Sequence, residues 1–180
     1  MSETESKSLT LIQTKLHRPR LRTDLVDRPR LLTQLGCAVE HKVTLISAPA
    51  GYGKTALLCQ WLETCPHPSA WLSLDENDSD LVVFVRYVIR AVQTAYPGAC
   101  TGVKERLHAP SSPPWDHMAT VLVNDLAKLP NPLTLALDDY HFVHDPRVHQ
   151  FLAKVIRYLP EQVHLAIASR TDPPLAMDRL

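Results

Sequence analysis

Two glycines, a lysine and a threonine stand together in the stretch APAGYGKT at residues 48–55, directly after the apolar run VTLIS. Glycines let backbone N–H groups approach a phosphate chain closely. The first N–H groups of a helix lack internal partners and carry partial positive charge. Lys54 would then contact the β- and γ-phosphates, and the Thr55 hydroxyl would bind Mg²⁺. A strand, a small-residue loop, Lys-Thr and a helix, in this order, are typical of a nucleotide-binding P-loop.

The loop departs from the full pattern G-x-x-x-x-G-K-[ST] at its first position, which is Ala48. Alanine does not readily adopt positive φ, so the loop is expected to begin in an ordinary conformation that Pro49 stiffens. The alternative is a chance Gly-Lys-Thr after an apolar run, which the strand and helix on either side argue against. The predicted nucleotide-binding residues of the loop are Ala48, Pro49, Ala50, Gly51, Tyr52, Gly53, Lys54 and Thr55.

Two adjacent carboxylates, Asp138 and Asp139, follow the apolar residues LTLAL. Asp138 can hold Mg²⁺ together with Thr55, and Asp139 can orient the attacking water. Because neighbouring residues of a strand point to opposite faces, both carboxylates can serve only if the strand ends at Asp138. Asp139 is one methylene shorter than the Glu that many related ATPases carry, so poor activation of water is expected. The alternative is a strand-end turn with two solvated carboxylates.

Four polar clusters follow apolar runs that are predicted to be strands. They are the P-loop, Asp75-Glu76, Asp138-Asp139 and Ser169-Arg170. In an open parallel sheet, ligands bind beyond the carboxyl ends of the strands, so all four clusters are expected to converge. Arg170 could sense the γ-phosphate through a bidentate contact, and it completes the predicted catalytic set with Asp138 and Asp139. The alternative for Arg170 is an ordinary surface arginine before a turn.

Three histidines, His141, His144 and His149, lie near the acidic pair. Their spacing is not H-E-x-x-H, and His149 falls on the helix that is predicted to begin at Asp145-Pro146. A metal site built on these histidines is therefore not favoured.

Alternating strands and helices determine the predicted fold class. Apolar runs predict strands over 43–47, 70–74, 133–137 and 163–168. Helical spacing predicts helices over 29–40, from Lys54, over 81–96, after a Ser112-Pro113 start, and from 146 to 159. Residues 97–112 are predicted to be a loop, and residues 1–8 to be disordered. Strands that are apolar throughout favour an α/β fold, with a parallel sheet covered by helices on both faces.

The basic, proline-marked segment at residues 9–30 precedes the first strand. Its arginines either form a solvated surface or line a wall of the nucleotide site.

The composition favours a soluble globular protein. The chain has 180 residues, of which 45% are hydrophobic and 21% charged, with 19 basic and 19 acidic residues. This balance leaves no net charge that would attract the chain to nucleic acid or to a membrane. No apolar run is long enough for a membrane span, and the polar N-terminus is not a signal peptide. The four cysteines, Cys37, Cys59, Cys65 and Cys100, include no C-x-x-C and are expected to be reduced, so a cytoplasmic location is predicted.

Five blocks of the sequence, in order, carry a resemblance to a known family. They are TKLHRPRLRTDLVDRPRLLTQL, ISAPAGYGKT, AWLSLDENDSD, LALDDYHFVHDPRVHQFL and HLAIASRTDPPL. Together they resemble the nucleotide-binding domain of MalT-type regulators, the large ATP-binding, LuxR-family transcriptional activators of the STAND class of signalling NTPases. The resemblance covers roughly residues 9–178.

The resemblance implies a switch that is operated by ATP and ADP. In the family, ATP and an inducer promote self-association, and slow hydrolysis resets the protein. The family pattern implies that Lys54 and Thr55 contact phosphate and Mg²⁺, and that Arg170 senses phosphate. Asp138 and Asp139 would be the Walker B pair, and Val26, Asp27 and Arg28 would lie beside the adenine.

Family members continue beyond this domain with a fifth core strand, a winged helix, a helical-repeat sensor and a C-terminal helix-turn-helix. We therefore expect residues 9–180 to form a truncated, ASCE-type P-loop NTPase domain, with core strand order 5-1-4-3-2 and strand five missing. Self-association is expected through this domain, with no direct DNA contact. One alternative is a non-hydrolysing module that binds nucleotide or partner proteins. Another is a small P-loop kinase, for which no acceptor site or lid is evident.

Overall fold

A computed structural model describes residues 10–21, 26, 28–38, 41–107 and 114–175, without the side chains of residues 37 and 38. Four strands form one sheet: β1 (Val43–Ser47), β2 (Ser69–Ser73), β3 (Leu133–Asp138) and β4 (Val163–Ser169). All neighbouring strands are parallel, in the order β1-β4-β3-β2. The predicted parallel α/β fold is confirmed, and so is the predicted order of these four strands.

Six α-helices connect and cover the strands within the described residues. They are α1 (Pro29–Ala38), α2 (Lys54–Thr64), α3 (Leu81–Ala95), α4 (Thr101–Leu107), α5 (Trp115–Leu126) and α6 (Pro146–Arg157). Short 3₁₀ turns occupy Gln13–Leu16, Glu76–Ser79 and Tyr140–Phe142. No helix among these residues is long and apolar enough to cross a membrane.

The two faces of the sheet are packed by different helices. α1 and α2 cover one face, where Leu58 and Trp61 of α2 meet small residues of the strands such as Ala136 and Ala166. The opposite face carries the larger core, to which α3, α5 and α6 contribute. There Phe84 and Phe151 meet edge to face, with their ring centroids 6.3 Å apart. The sheet is therefore the middle of three layers, as the apolar strands predicted.

The central strands are buried throughout, whereas β1 is not. Every residue of β3 and β4 is buried, but in β1 only Thr44 is buried, and this strand pairs only with β4 among the described residues. This difference is expected, because β1 is an edge strand of the described sheet.

Helix α4 lies within residues 97–112, which were predicted to be a loop, so that prediction was wrong for residues 101–107. Val103 is fully buried, and its N–H donates to Asp125 Oδ2 of α5 at 3.0 Å. A Cβ at Gly102 would stand 3.0 Å from both Asp125 carboxylate oxygens, so glycine permits this close approach. The helix is therefore stabilised by a tertiary contact that no local pattern reveals.

Smaller predictions had mixed outcomes. β2 is shifted by one residue from its predicted range, and α1 is described as far as Ala38, while the last two residues of its predicted range lie outside the described residues. Helix α5 begins after Pro114. The predicted Ser112-Pro113 start and the predicted disorder of residues 1–8 lie outside the described residues. Cys59, Cys65 and Cys100 are free thiols.

Candidate functional site

The loop between β1 and α2 turns on two glycines. Gly51 has φ of +82° and Gly53 has φ of +76°, a region in which residues with a Cβ are strained. Gly53 is the N-cap residue of α2 and supplies no side-chain cap. The first N–H groups of α2 therefore have no side-chain acceptor at Gly53, which suits an anionic ligand.

Arg28 braces this loop from the N-terminal side. Its Nη1 donates to the Tyr52 carbonyl oxygen at 2.9 Å, and its Nη2 would lie 3.6 Å from a Cβ built at Gly53. Any larger residue at position 53 would therefore contact the guanidinium as well as strain the backbone. Arg28 thus holds the loop in place at Tyr52 and Gly53.

A cleft of about 400 Å³ opens above the loop, at the carboxyl edge of the sheet. Lys54 lines it and is only 8% exposed. Lys54 Nζ donates to the Pro49 carbonyl oxygen at 3.1 Å, and none of the described carboxylates forms an ion pair with it. A buried ammonium held by a neutral carbonyl can bind an anion that enters the cleft.

Thr55 and Asp138 meet beneath the cleft. Thr55 Oγ1 donates to Asp138 Oδ2 at 2.9 Å, and Oδ1 lies 3.2 Å away. Asp138 ends β3 and is 3% exposed. Burial raises the pKa of Asp138 to about 6, and the negative charge of Asp139 acts in the same direction. A hydroxyl and a carboxylate in contact are oxygen ligands of the kind that Mg²⁺ prefers, so these two residues fit that ion.

Asp139 lies in the left-handed region, with φ of 57° and ψ of 37°. The strand ends at Asp138, one residue beyond its predicted range, which meets the condition under which both carboxylates can serve. The backbone turn at Asp139 places the second carboxylate among the residues that line the cleft. Aspartate tolerates this conformation better than most residues with a side chain. The two neighbouring carboxylates thus lie at the same edge of the sheet, one in contact with Thr55 and the other lining the cleft.

His141 stands next to Asp139 and was not predicted as a site residue. Its Nδ1 lies 3.8 Å from Asp139 Oδ1, and both ring nitrogens are buried without a hydrogen-bond partner among the described residues. Burial lowers the pKa of His141, Asp139 raises it, and the positive charges of Arg170 and Lys54 lower it further. The signal in the sequence was its position two residues after Asp139, which drew attention only as a possible metal ligand.

The other two histidines are placed differently. The Tyr140 hydroxyl lies 2.9 Å from His149 Nδ1, and the His144 N–H donates to the Ser79 hydroxyl at 3.0 Å. Among the described residues, no three His, Cys, Asp or Glu side chains are grouped so that they could hold a metal ion.

Arg170 follows β4 and lines the cleft together with Asp139. Its guanidinium carbon lies 5.9 Å from the centroid of the Phe142 ring, within the outer range of a cation–π contact. The side chain is exposed, so it is free to turn toward an anion in the cleft.

Asp75 does not belong to the cleft, which corrects the expectation that all four polar clusters converge. Its carboxylate caps the turn Glu76–Ser79 by accepting from the Asn77 N–H at 2.9 Å. The same carboxylate pairs with Lys15, whose Nζ lies 2.7 Å from Oδ2. The acidic end of β2 therefore holds the N-terminal segment in place.

That segment provides a wall of the cleft. Pro19, Arg20 and Leu21 line it together with Ala56 and Cys59 of α2. Burial raises the pKa of Cys59 to about 12, so the thiol there is neutral. The prolines and arginines of residues 9–30 indicated such a wall as one of two alternatives, whereas nothing in the sequence indicated Cys59.

The predicted site residues divide into groups by position. The cleft is lined by Ala50, Gly51, Gly53, Lys54, Thr55, Asp139 and Arg170. Ala48, Tyr52 and Arg28 line a neighbouring cavity of about 390 Å³, and Lys54 reaches both. Val26 is 77% exposed, and Asp27 lies outside the described residues.

Sequence comparison finds curated relatives. The chain is 36% identical over 170 residues to "HTH-type transcriptional regulator MalT" of Yersinia pestis (strain Pestoides F), covering 94% of this chain and 19% of that protein. The same regulator of Yersinia enterocolitica is 35% identical over the same length. The chain thus spans about a fifth of the length of these relatives. No family model matches the chain.

Solved structures share the fold. Cdc6p from Pyrobaculum aerophilum aligns with a TM-score of 0.55 and 16% identity, covering 90% of this chain and 44% of that one. A chain of the structure of Drosophila ORC bound to AT-rich DNA and Cdc6 gives a TM-score of 0.53 and 9% identity, covering 79% of this chain and 46% of that one. Sequence similarity and fold together confirm the resemblance inferred from the sequence: the chain is a MalT-type domain with the P-loop NTPase fold.

Proposed function

We propose that this chain is the ATP- and ADP-binding switch domain of a MalT-like, LuxR-family transcriptional regulator, with slow ATP hydrolysis as its reset. The observation that carries this proposal is the convergence of three features at one cleft. They are a glycine loop that opens α2, the buried Lys54 without a carboxylate partner among the described residues, and the Thr55–Asp138 contact. Each feature suits a different part of a magnesium nucleotide.

The phosphates are assigned to the backbone of residues 48–55 and to Lys54. On binding, the ammonium exchanges the Pro49 carbonyl for phosphate oxygens, a stronger, charge-assisted acceptor. Thr55 and Asp138 would hold Mg²⁺, which supplies charge neutralisation at the phosphates when bound. The resemblance implies that Val26, Asp27 and Arg28 lie beside the adenine. The contact of Arg28 with Tyr52 supports the part of this assignment that concerns Arg28.

Hydrolysis is assigned to Asp139, with Arg170 as the phosphate sensor. The Asp139 carboxylate would orient a water molecule and accept its proton, since it lines the cleft together with the loop. Arg170 can reach an anion in the cleft from the end of β4. The short Asp139 side chain supports slow turnover, and it also supports the second candidate, a module that binds nucleotide without hydrolysing it.

Self-association is also proposed for this domain, because β1 is an edge strand whose outer side pairs with no described residue. DNA binding is assigned to parts of the regulator outside this domain.

Lys54→Ala tests the nucleotide assignment. The variant loses a charge-assisted contact of about 1.5–3 kcal/mol, so we expect ATP affinity to fall roughly tenfold to a hundredfold. Isothermal titration with Mg-ATP measures the change. Lys42→Ala is the matched control, because Lys42 is exposed at the opposite end of β1. Equal affinities of the two variants would rule out the P-loop assignment.

A further inference from the structure

The described N-terminal residues 10–21, here called the strap, run from the side of α3 to the cleft. The strap is fastened at its start, where the Ile12 N–H donates to the Tyr87 hydroxyl at 3.1 Å. Leu16 is 4% exposed and belongs to the larger core. The strap is therefore a packed part of the domain at this end.

Lys15 forms an ionic lock between the strap and the end of β2. Its Nζ lies 2.7 Å from Asp75 Oδ2 and 2.7 Å from Asp78 Oδ2, and its side chain is 10% exposed. The ammonium also lies 4.8 Å from the centroid of the Tyr87 ring. Asp78 is fully buried, and its Oδ2 accepts a second bond from the Asp75 N–H at 2.7 Å. Removing the ammonium would leave a buried carboxylate unpaired, which is strongly unfavourable.

The other end of the strap lies over α2. Pro19 and Leu21 line the cleft together with Ala56 and Cys59 of that helix. The Pro19 carbonyl oxygen lies 3.8 Å from Cys59 Sγ. Only three residues lie between Lys15 and Pro19, so the lock limits how far this wall can move from α2.

We propose that Lys15 is a positioning residue for nucleotide binding, which holds the strap so that Pro19 and Leu21 cover the nucleoside part of the ligand. This inference rests on the proposed function of nucleotide binding. Lys15 is not among the residues that line the cleft, so it acts through the strap and not by contact. The phosphate loop itself is braced by Arg28 and does not depend on the lock.

This arrangement separates two parts of the ligand. A nucleotide uses both the loop and the strap, whereas inorganic triphosphate uses the loop alone. If the strap covers the cleft in only a tenth of the molecules of a variant, the apparent affinity for the nucleotide falls roughly tenfold. We expect the affinity for triphosphate to stay nearly the same, because the contacts assigned to the phosphates come from residues 48–55 and not from Pro19 or Leu21.

Lys15→Met tests the proposal, since methionine keeps an apolar stem and loses the charge. Titration of the whole chain with Mg-ATP and with Mg-triphosphate gives two affinities for each variant. We expect Lys15→Met to lose roughly tenfold for ATP and less than about twofold for triphosphate. Lys15→Arg restores ATP affinity because it keeps the charge. Lys128→Met is the control, since it removes an exposed lysine that pairs with Asp125 at 3.1 Å, away from the strap.

Tyr87→Phe provides a second, milder variant that decides the question if Lys15→Met does not fold. It removes the acceptor of the Ile12 N–H and keeps the buried ring. We expect a smaller loss of affinity, again for ATP and not for triphosphate. Unchanged ATP affinity, or equal losses for both ligands, would overturn the role of Lys15 while leaving nucleotide binding in place. A wild-type chain that binds neither ligand would overturn the proposed function together with this inference.

Discussion

At the scale of a single residue, the buried carboxylate of Asp138 makes the free energy of unfolding depend on pH. Its folded-state pKa of about 6 lies above the ordinary value of 3.8, because burial disfavours the ionised carboxylate. The folded protein therefore retains a proton to higher pH than the unfolded chain does. The stabilisation from this proton is complete below about pH 3.8 and is lost as the pH rises through about 6.

We predict that Asp138→Asn stabilises the ligand-free protein at pH 8, by up to about 3 kcal/mol, since each pKa unit corresponds to about 1.4 kcal/mol. Asparagine can still accept the hydrogen bond from Thr55. The gain should shrink as the pH falls and disappear near pH 4, where the native carboxyl is protonated too. Urea unfolding at pH 8, 6 and 4 measures it. A variant that is less stable than the wild type at pH 8 would contradict the prediction.

The two neighbouring carboxylates should also separate in function. We predict that Asp138→Asn loses the dependence of ATP binding on Mg²⁺, whereas Asp139→Asn keeps binding and loses turnover. The reason is that Asp138 contacts Thr55 from beneath, while Asp139 lines the cleft. Titration with and without Mg²⁺, together with a phosphate-release assay, tests both statements. Equal loss of binding in both variants would mean that the carboxylates share one role.

At the scale of the elements, α4 and its contact with α5 are the clearest case of structure that tertiary contacts create. The Asp125 carboxylate accepts from the Val103 N–H at 3.0 Å and from Lys128 Nζ at 3.1 Å. Gly102 leaves room for this carboxylate. A short helix of seven residues is unstable in isolation, so it depends on such a contact.

Gly102→Ala should therefore destabilise the fold, by about 1–3 kcal/mol, because the new methyl group displaces the buried Asp125 carboxylate from the Val103 N–H. Gly36→Ala in α1 is the matched control, since nothing lies within 4 Å of a Cβ at that position. The control is expected to be neutral or to gain up to about 1 kcal/mol from helix propensity. Urea midpoints of the two variants give the comparison, and equal stabilities would contradict the role of Gly102.

The sequence predicted those elements whose cause is local, and it failed where the cause lies far along the chain. The apolar runs located the four described strands to within one residue at each end. The partner of Asp75 is Lys15, and residues 15 and 75 are far apart in sequence, so their contact depends on the complete fold. The same holds for Cys59 and the strap, which meet only because α2 packs beneath it.

At the scale of the whole molecule, the sheet divides the domain into unequal halves. The larger core, which includes Leu16 near the start of the strap, lies on the side of α3, α5 and α6. The candidate site and the end of the strap at Pro19 and Leu21 lie beside α2, where the core is smaller. A ligand in the cleft would contact the loop, the strap and the strand ends together. It would therefore add contacts on the side of α2, where the core is smaller.

We predict that Mg-ATP raises the melting temperature of the chain. At a hundred times the dissociation constant, binding stabilises the folded state by about 2.7 kcal/mol. For a domain of this size, that corresponds to a rise of roughly 5–10 °C. A thermal melt with Mg-ATP, and with Lys54→Ala as the control, tests it. A melting temperature that does not respond to Mg-ATP at concentrations that saturate binding by titration would contradict the prediction.

The position of β1 at the sheet edge has a consequence for the exchange of its amide hydrogens with solvent. Leu165 N donates to the Lys42 carbonyl at 2.9 Å, and Ala48 N donates to the Ser169 carbonyl at 3.3 Å, so even-numbered residues of this stretch face β4. In a parallel ladder the residues between them direct their N–H groups the other way. Deuterium should therefore replace hydrogen rapidly at 43, 45 and 47 and slowly at 44 and 46. Slowing of the three rapid sites would then report, amide by amide, any segment that pairs with this edge.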